Sequence, residues 1–236
     1  EGDKILEAAD ELKHFKQAKV GSDMDNYDSF LIISHFKGHQ MAGFGGAIKN
    51  VSMGLASVAG KMSLHASSIP RYDPDKCISC RRCVAQCPGD AITINPLKID
   101  PEKCIGCGSC IGICPVSAFA VPWGSTDIPT FLQRLSEFAK VVSDNYKMVY
   151  INFVSNISES CDCVSGAPEP FLEDIGILAS MDMVAIEQAS HDLVDKHFGS
   201  DDTFKEVNRV SGKDQINYAE EIGLGTSQYR LIDLDN

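Results

Sequence analysis

Eight cysteines fall in two runs of one form: Cys77, Cys80, Cys83 and Cys87 before Pro88, then Cys104, Cys107, Cys110 and Cys114 before Pro115. Each run reads C-x-x-C-x-x-C-x-x-x-C-P, and the second repeats the first at a displacement of 27 residues. A C-x-x-C-x-x-C turn wraps three thiolates around three corners of a small metal–sulfur cluster, and the fourth corner must come from elsewhere. The repeat supplies it. The spacing therefore predicts one 4Fe-4S cluster on Cys77, Cys80, Cys83 and Cys114, and a second on Cys104, Cys107, Cys110 and Cys87. Backbone N–H groups of the same loops are expected to point at the sulfurs and stabilise their charge. The chemistry of such a pair is electron transfer.

Paired C-x-x-C motifs also serve structural zinc. Zinc takes four ligands from one set, however, and has no use for a three-plus-one exchange with proline after the fourth cysteine. Over about residues 71–122 the chain resembles dicluster ferredoxins. Two further expectations follow. Arg81 and Arg82 lie between ligands of the first run, where the second has Gly108 and Ser109, and positive charge beside a cluster favours its reduced state. The first cluster is thus expected to be the easier one to reduce.

At 236 residues the chain is far larger than this repeat, so the remainder must build a host. The expected organisation is an α/β host at 1–70, a 2x(4Fe-4S) ferredoxin-like domain at 71–123, and the rest of the host at 124–236. The first piece is expected to be incomplete at its N-terminus. All ten cysteines are those of the repeat plus Cys161 and Cys163, with no evident disulfide framework, which points to a reducing cytosol. No apolar run is long enough for a membrane span. The net charge of −12 disfavours nucleic-acid binding, because phosphate contacts need a basic face. That charge is concentrated in residues 127–236, where 20 acidic residues face 8 basic ones, and an acidic flank of this kind can steer a basic redox partner.

The host must position whatever chemistry it has, and its elements can be read in outline. Ser29–Ser34 reads as a buried strand, Lys147–Val154 as another, Ile175–Ala179 as a third and Tyr229–Leu234 as a last one. Pro129–Ser143 carries a helical apolar stripe, and Met183–Phe198 reads as an amphipathic helix. Residues 4–20 fit helix or strand equally. Strands alternating with helices predict an α/β fold with a mostly parallel sheet, interrupted by the small α+β ferredoxin-like domain.

Directly after the first strand comes Ser34–His65, where open α/β sheets place their sites. It holds His35, Lys37, His39, Lys49, Lys61 and His65 among glycines. Gly43, Gly45 and Gly46 either close backbone N–H groups on an anionic cofactor beside Lys49, or form a tight turn with positive φ. The segment lacks the order of a P-loop and of a dinucleotide fingerprint. Cys161 and Cys163, two apart on an extended segment, face one way and suit one metal or a redox partner. They are equally read as unpaired thiols packed in a loop. His35, His65, Cys161 and Cys163 are the candidate ligands of a third site, for a further metal or a small-molecule cofactor. Asp174, Asp182, Glu187, His191 and His197 read as structural or surface residues.

The stretch His35–Asn50, with the cysteine repeat, Cys161-Asp162-Cys163 and Asp174–Ser180 downstream, resembles the uncharacterised Fe-S centre proteins, a family of unknown function. The resemblance spans nearly the whole chain and brings no settled reaction. More distantly, His39, Ala42-Gly43-Phe44, Gly45-Gly46, Lys49 and His65 are similar to the catalytic stretch of nickel-pincer lactate racemases. That resemblance implies a proton-transferring His39, a cofactor-bearing Lys49 and a metal-ligating His65. The chain departs at Gly45, where those enzymes usually have Ser, and their second catalytic histidine lies upstream of this sequence.

Two function classes follow: an oxidoreductase whose clusters serve a substrate or metal held by His39, Lys49 and His65, or a carrier or sensor whose host docks a redox partner protein. A pure carrier has no need of convergent His, Lys and Cys side chains. The first class predicts that His39, Lys49 and His65 meet Cys161 and Cys163 in one pocket beside the repeat, open to a small-molecule substrate.

Overall fold

The computed structural model describes residues 3–65, 69–87, 89–104, 109–120, 127–162 and 168–234. The chain begins with an antiparallel hairpin, β1 (Asp3–Glu7) and β2 (Gln17–Gly21). Residues 4–20, ambiguous by pattern, are thus largely strand. The run SFLIISH forms β3 (Ser29–His35), and a short hairpin follows, β4 (Lys37–His39) and β5 (Gly43–Gly45). Next come one helical turn, α1 (Ala47–Lys49), a π-helical turn at Asn50–Gly54, and α2 (Val58–His65).

The cysteine repeat is a repeat in three dimensions as well. Its elements are β6 (Arg71–Tyr72), α3 (Arg82–Ala85), β7 (Ile92–Thr93), β8 (Lys98–Ile99), α4 (Ser109–Ile113) and β9 (Phe119–Ala120). Adding 27 to β6 gives β8, to the start of α3 gives that of α4, and to β7 gives β9. The pairings obey the same shift: Arg71 faces Ala120 and Tyr72 faces Phe119, as Lys98 faces Thr93 and Ile99 faces Ile92. Each half leads into its cysteines with Asp-Pro-acid-Lys-Cys. Asp73 accepts the N–H of Asp75 at 3.1 Å, and Asp100 that of Glu102 at 3.0 Å. This module packs its own core, with Ala91, Ile92, Leu97, Ile99, Ala118 and Phe119 around Cys83 and Cys110.

Beyond it run α5 (Ile128–Asn145), β10 (Lys147–Val154), β11 (Gly176–Ser180), α6 (Met183–Phe198), α7 (Thr203–Asn208) and α8 (Lys213–Glu221). Helix α5 starts at Asp127, whose carboxylate accepts the Thr130 N–H at 2.9 Å, with Pro129 in the first turn. Asp182 caps α6 by accepting from Val184 and Ala185, and Gly199, at φ +82°, ends it. In the sheet, β10 is central, parallel to β3 and antiparallel to β11.

The sheet is therefore mixed, which corrects the expectation of a mostly parallel one. No helix lies between β10 and β11 among the described residues, and without a crossover the chain returns antiparallel. A second correction concerns Tyr229–Leu234, which forms no strand. Its apolar side chains stand exposed, and it pairs with no strand among the described residues.

The host core lies on one face of this sheet. Met148, Tyr150 and Val154 of β10 and Ile32 of β3 point into it, covered by Leu132, Leu135 and Phe138 of α5 and by Val184 and Ile186 of α6. Helix α8 packs on α5, and Glu137 joins them: its carboxylate accepts the Tyr218 hydroxyl at 2.6 Å and the His14 N–H at 2.7 Å. Among the described residues no helix is long and apolar enough to cross a membrane.

Candidate functional site

Two places gather the chemistry. In the module, Cys77, Cys80, Cys83 and Cys114 line one cavity together with Ile78, Arg81, Ile94, Val116, Ala118 and Phe119. Three of these thiols come from the first motif and the fourth from the end of the second. Burial pushes the Cys83 thiol up; its own N–H and that of Val84 pull it down, and the nearby Cys77 and Cys80 push it further up. Thiols that repel one another when ionised call for a cation between them. Ala91 donates its N–H to Cys87 Sγ and Ala118 donates to Cys114 Sγ, both at 3.2 Å, and Ser79 donates to Cys77 Sγ at 3.4 Å. Soft thiols, oriented by N–H donors and walled by apolar side chains, are a donor set that fits an iron–sulfur cluster.

Cys110 is buried in the same small core, and Cys87 and Cys104 pack against it. Cys107, Gly108 and Pro88 fall outside the described residues. Arg81 has a left-handed backbone, φ +61°, rarely adopted by a residue with a side chain, and the repeat places Gly108 at the corresponding sequence position.

In the host, a cleft of about 490 Å³ opens at the carboxyl end of β3. Ile33, Ser34 and His35 come from that strand, Lys37 and His39 from β4, Gly45 from β5 and Gly46 from the start of α1. Lys49 ends α1, Asn50, Met53 and Gly54 come from the π-helical turn, and Lys61 and His65 from α2. Asp162 closes the rim. The π-helical turn is tied to the strand by Asn50, whose Nδ2 donates to the Ile33 carbonyl at 2.9 Å and lies 3.0 Å from Ser34 Oγ. Such turns widen a helix and recur at functional sites.

The histidines differ in what they can do. His39 Nδ1 accepts N–H groups from Met41 at 3.2 Å and Ala42 at 3.1 Å, so the proton of the neutral ring sits on Nε2. Burial first, then Lys49, His65 and Lys37, bring its pKa down to about 3, and the ring stays neutral at physiological pH. Burial and Lys49 also lower His65. Both rings stack near Phe131 of α5, His65 with centroids 5.2 Å away and His39 at 6.5 Å. His35 is engaged at both nitrogens, Nδ1 to Asp162 Oδ2 at 3.0 Å and Nε2 to the Ser155 carbonyl at 2.8 Å, leaving no lone pair directed at a metal. Burial raises the Asp162 carboxyl, and hydrogen bonds from Lys37 and His35 outweigh it and hold the group below the usual carboxylate range.

Lys49 Nζ reaches Cys161 Sγ at 3.4 Å. The structure thus places His39, Lys49 and His65 on one cleft, with Cys161 behind Lys49. Cys163 lies outside the described residues. Among the described residues no three of His, Cys, Asp and Glu stand close enough to hold a single metal ion.

The three glycines separate. Gly43, at φ +74°, packs against the backbone of Gly212, where any side chain would collide, and does not line the cleft. At Gly45, the position of the racemases' serine, a Cβ would stand 3.2 Å from Lys49 Cδ. Behind Gly46 is Glu187 of α6, fully buried, and a side chain at position 46 would strike its carboxyl group. The Ala47 N–H donates to that carboxyl group, and Asn152 Nδ2 lies 3.4 Å from it. Burial drives Glu187 up to about 7, against the N–H groups of Ala47 and Ile48 and the Asn152 amide. Asp182 and Asp174 are structural, the latter accepting the Asn156 N–H at 2.7 Å. His191 is buried between Phe44 and Phe204 beside Asp195. Asp162, Asn50 and Phe131 belong to the site without having been singled out in the sequence.

Helix α2, which brings Lys61 and His65 to the cleft, also packs against α4 of the cysteine module. A family model described as Domain of unknown function (DUF362) matches residues 2–192, a span that contains the repeat, the cleft and Glu187. Comparison with curated proteins and with solved structures finds no match.

Proposed function

The chain belongs to the family described as Domain of unknown function (DUF362), and on that premise we propose that it is an iron–sulfur protein that transfers electrons. In this reading the module is an inserted, ferredoxin-like unit with two 4Fe-4S clusters. It serves a redox reaction in the host cleft, in a reducing compartment such as the cytosol. Cys77, Cys80, Cys83 and Cys114 hold one cluster; Cys87, Cys104 and Cys110, with Cys107, hold the other. When bound, the clusters supply one-electron transfer at low potential. The observation that carries the proposal is the cavity shared by Cys77, Cys80, Cys83 and Cys114, because it joins the two motif copies in the three-plus-one exchange.

The remaining roles belong to the chain itself. Ala91 and Ala118 N–H groups stabilise thiolate charge, and Ile78, Ile94, Val116 and Phe119 keep water from the sulfurs. In the cleft, His39 presents a fixed Nε2–H donor to a small molecule, and Lys49 supplies positive charge beside it.

Protein purified anaerobically should contain about eight iron and eight sulfide per chain. Cys114→Ser should change the electron paramagnetic resonance signal of the cluster held by Cys77, Cys80 and Cys83 and spare the other; the reverse pattern would refute the ligand exchange. Metal analysis of the same sample separates this reading from a pincer-type racemase, which requires nickel in addition to iron.

A further inference from the structure

The cleft holds more positive charge than its own residues neutralise. Lys37, Lys49 and Lys61 line it against a single lining carboxylate among the described residues, that of Asp162. Lys37 pairs with Asp162 at 2.8 Å. Among the described residues, neither Lys49 nor Lys61 has a carboxylate within ion-pair distance. This happens in a chain of net charge −12, so the excess is local and not a reflection of composition. Cations gathered in a concave, low-dielectric wall repel one another and raise the local concentration of small anions. The room, about 490 Å³, is that of a small-molecule site.

The donors that remain decide which anion. Glycine-rich turns bind phosphate by aiming backbone N–H groups at it. Here the Ala47 N–H is turned away, behind Gly46, to the carboxyl group of Glu187. The Asn50 amide is spent on the Ile33 carbonyl and Ser34. What faces the cleft is the His39 Nε2–H and two ammonium groups on flexible stems, that of Lys49 also reaching Cys161 Sγ, point charges without the backbone nest that cradles phosphate. We propose that the cleft binds a small organic acid with two carboxylates, neutralised by Lys49 and Lys61. The proposal names the substrate class for the cleft described above and rests on that reading for its purpose, while the binding itself needs no cluster.

Isothermal titration of the anaerobically purified full chain, at low ionic strength, with succinate, acetate and inorganic phosphate tests it. Succinate should bind one per chain, at least tenfold tighter than acetate or phosphate, and the affinity should fall with added salt. Lys61→Met, on the exposed side of α2, and Lys49→Met should each weaken succinate at least tenfold, while Lys98→Met in the module should not. Absence of saturable succinate binding, unchanged affinity in both cleft variants, or preference for phosphate overturns the proposal. Iron analysis and titration of Cys114→Ser keep the two readings apart. Clusters without succinate binding sink the substrate class alone, and succinate binding without clusters sinks electron transfer alone.

Discussion

Glu187 shows how one side chain sets both a loop and a pH profile. Its carboxyl group is raised from 4.5 to about 7 by burial, so between those values the folded protein keeps a proton that the unfolded chain has released. Folding stability should therefore fall as pH rises from about 4.5 to about 7, by on the order of a few kcal/mol. Urea denaturation at several pH values should show that slope in the native protein and its absence in Glu187→Gln, which keeps an acceptor for Ala47; an unchanged slope would place its cause elsewhere. Arg81 is the second residue with a measurable consequence. It lines the thiol cavity, whereas its neighbour Arg82 opens α3 and does not. Removing a positive charge from a cluster's surroundings disfavours the reduced state. Arg81→Ala should thus make one of two midpoint potentials more negative, and Arg82→Ala should leave both; equal effects would mean that cavity placement is irrelevant and both side chains act through solvent.

At the scale of elements, the sheet separates two faces that the sequence does not distinguish. In β3, Ile32 is 6% exposed and its neighbour Leu31 is 57% exposed, yet both are apolar and β-compatible. Ile32→Ala should cost about 2–5 kcal/mol, as a core truncation does, and Leu31→Ala within about 0.5 kcal/mol, read from denaturant midpoints. A comparable loss at Leu31 would show that something packs on the outer face. The contrast also explains what could be read in advance. The strands at Ser29–Ser34 and Lys147–Val154 follow from their apolar, strand-forming runs and the helix Met183–Phe198 from its amphipathic pattern. The sheet's mixed direction does not, since it depends on the connection from β10 to β11, which has no helix among the described residues. Likewise His39, Lys49 and His65 could be grouped because they are near in sequence. Asp162 and Phe131 reach the cleft from more than 60 residues away, with no local signal that they would. Glu187 read as structural for the same reason: nothing at α6 announces that its carboxyl group accepts the Ala47 N–H and fills the space behind Gly46.

The whole molecule has two cores of unequal means. Among the described residues, the host core draws on some three dozen buried apolar residues from both ends of the chain, while the module has eight, two of them cysteines. A unit of about 50 residues buries too little apolar surface to fold firmly alone, and small domains of that size rely on metals or disulfides. In the module, Cys77, Cys80, Cys83, Cys87, Cys104 and Cys114 are in no disulfide, and on the proposed function metal binding supplies the stability instead. Its binding free energy is then folding free energy for this unit. Calorimetry under anaerobic conditions should accordingly resolve two transitions. Stripping iron with a chelator should abolish the one that belongs to the module and shift the host's only slightly, since α2 against α4 is a narrow join. Hydrogen exchange on the stripped protein should show fast amides across β6 to β9 and protected ones in β3, β10 and α5. If the host melted together with the module, the two would be one cooperative unit, and the cleft would depend on the clusters for its shape as well as for electrons.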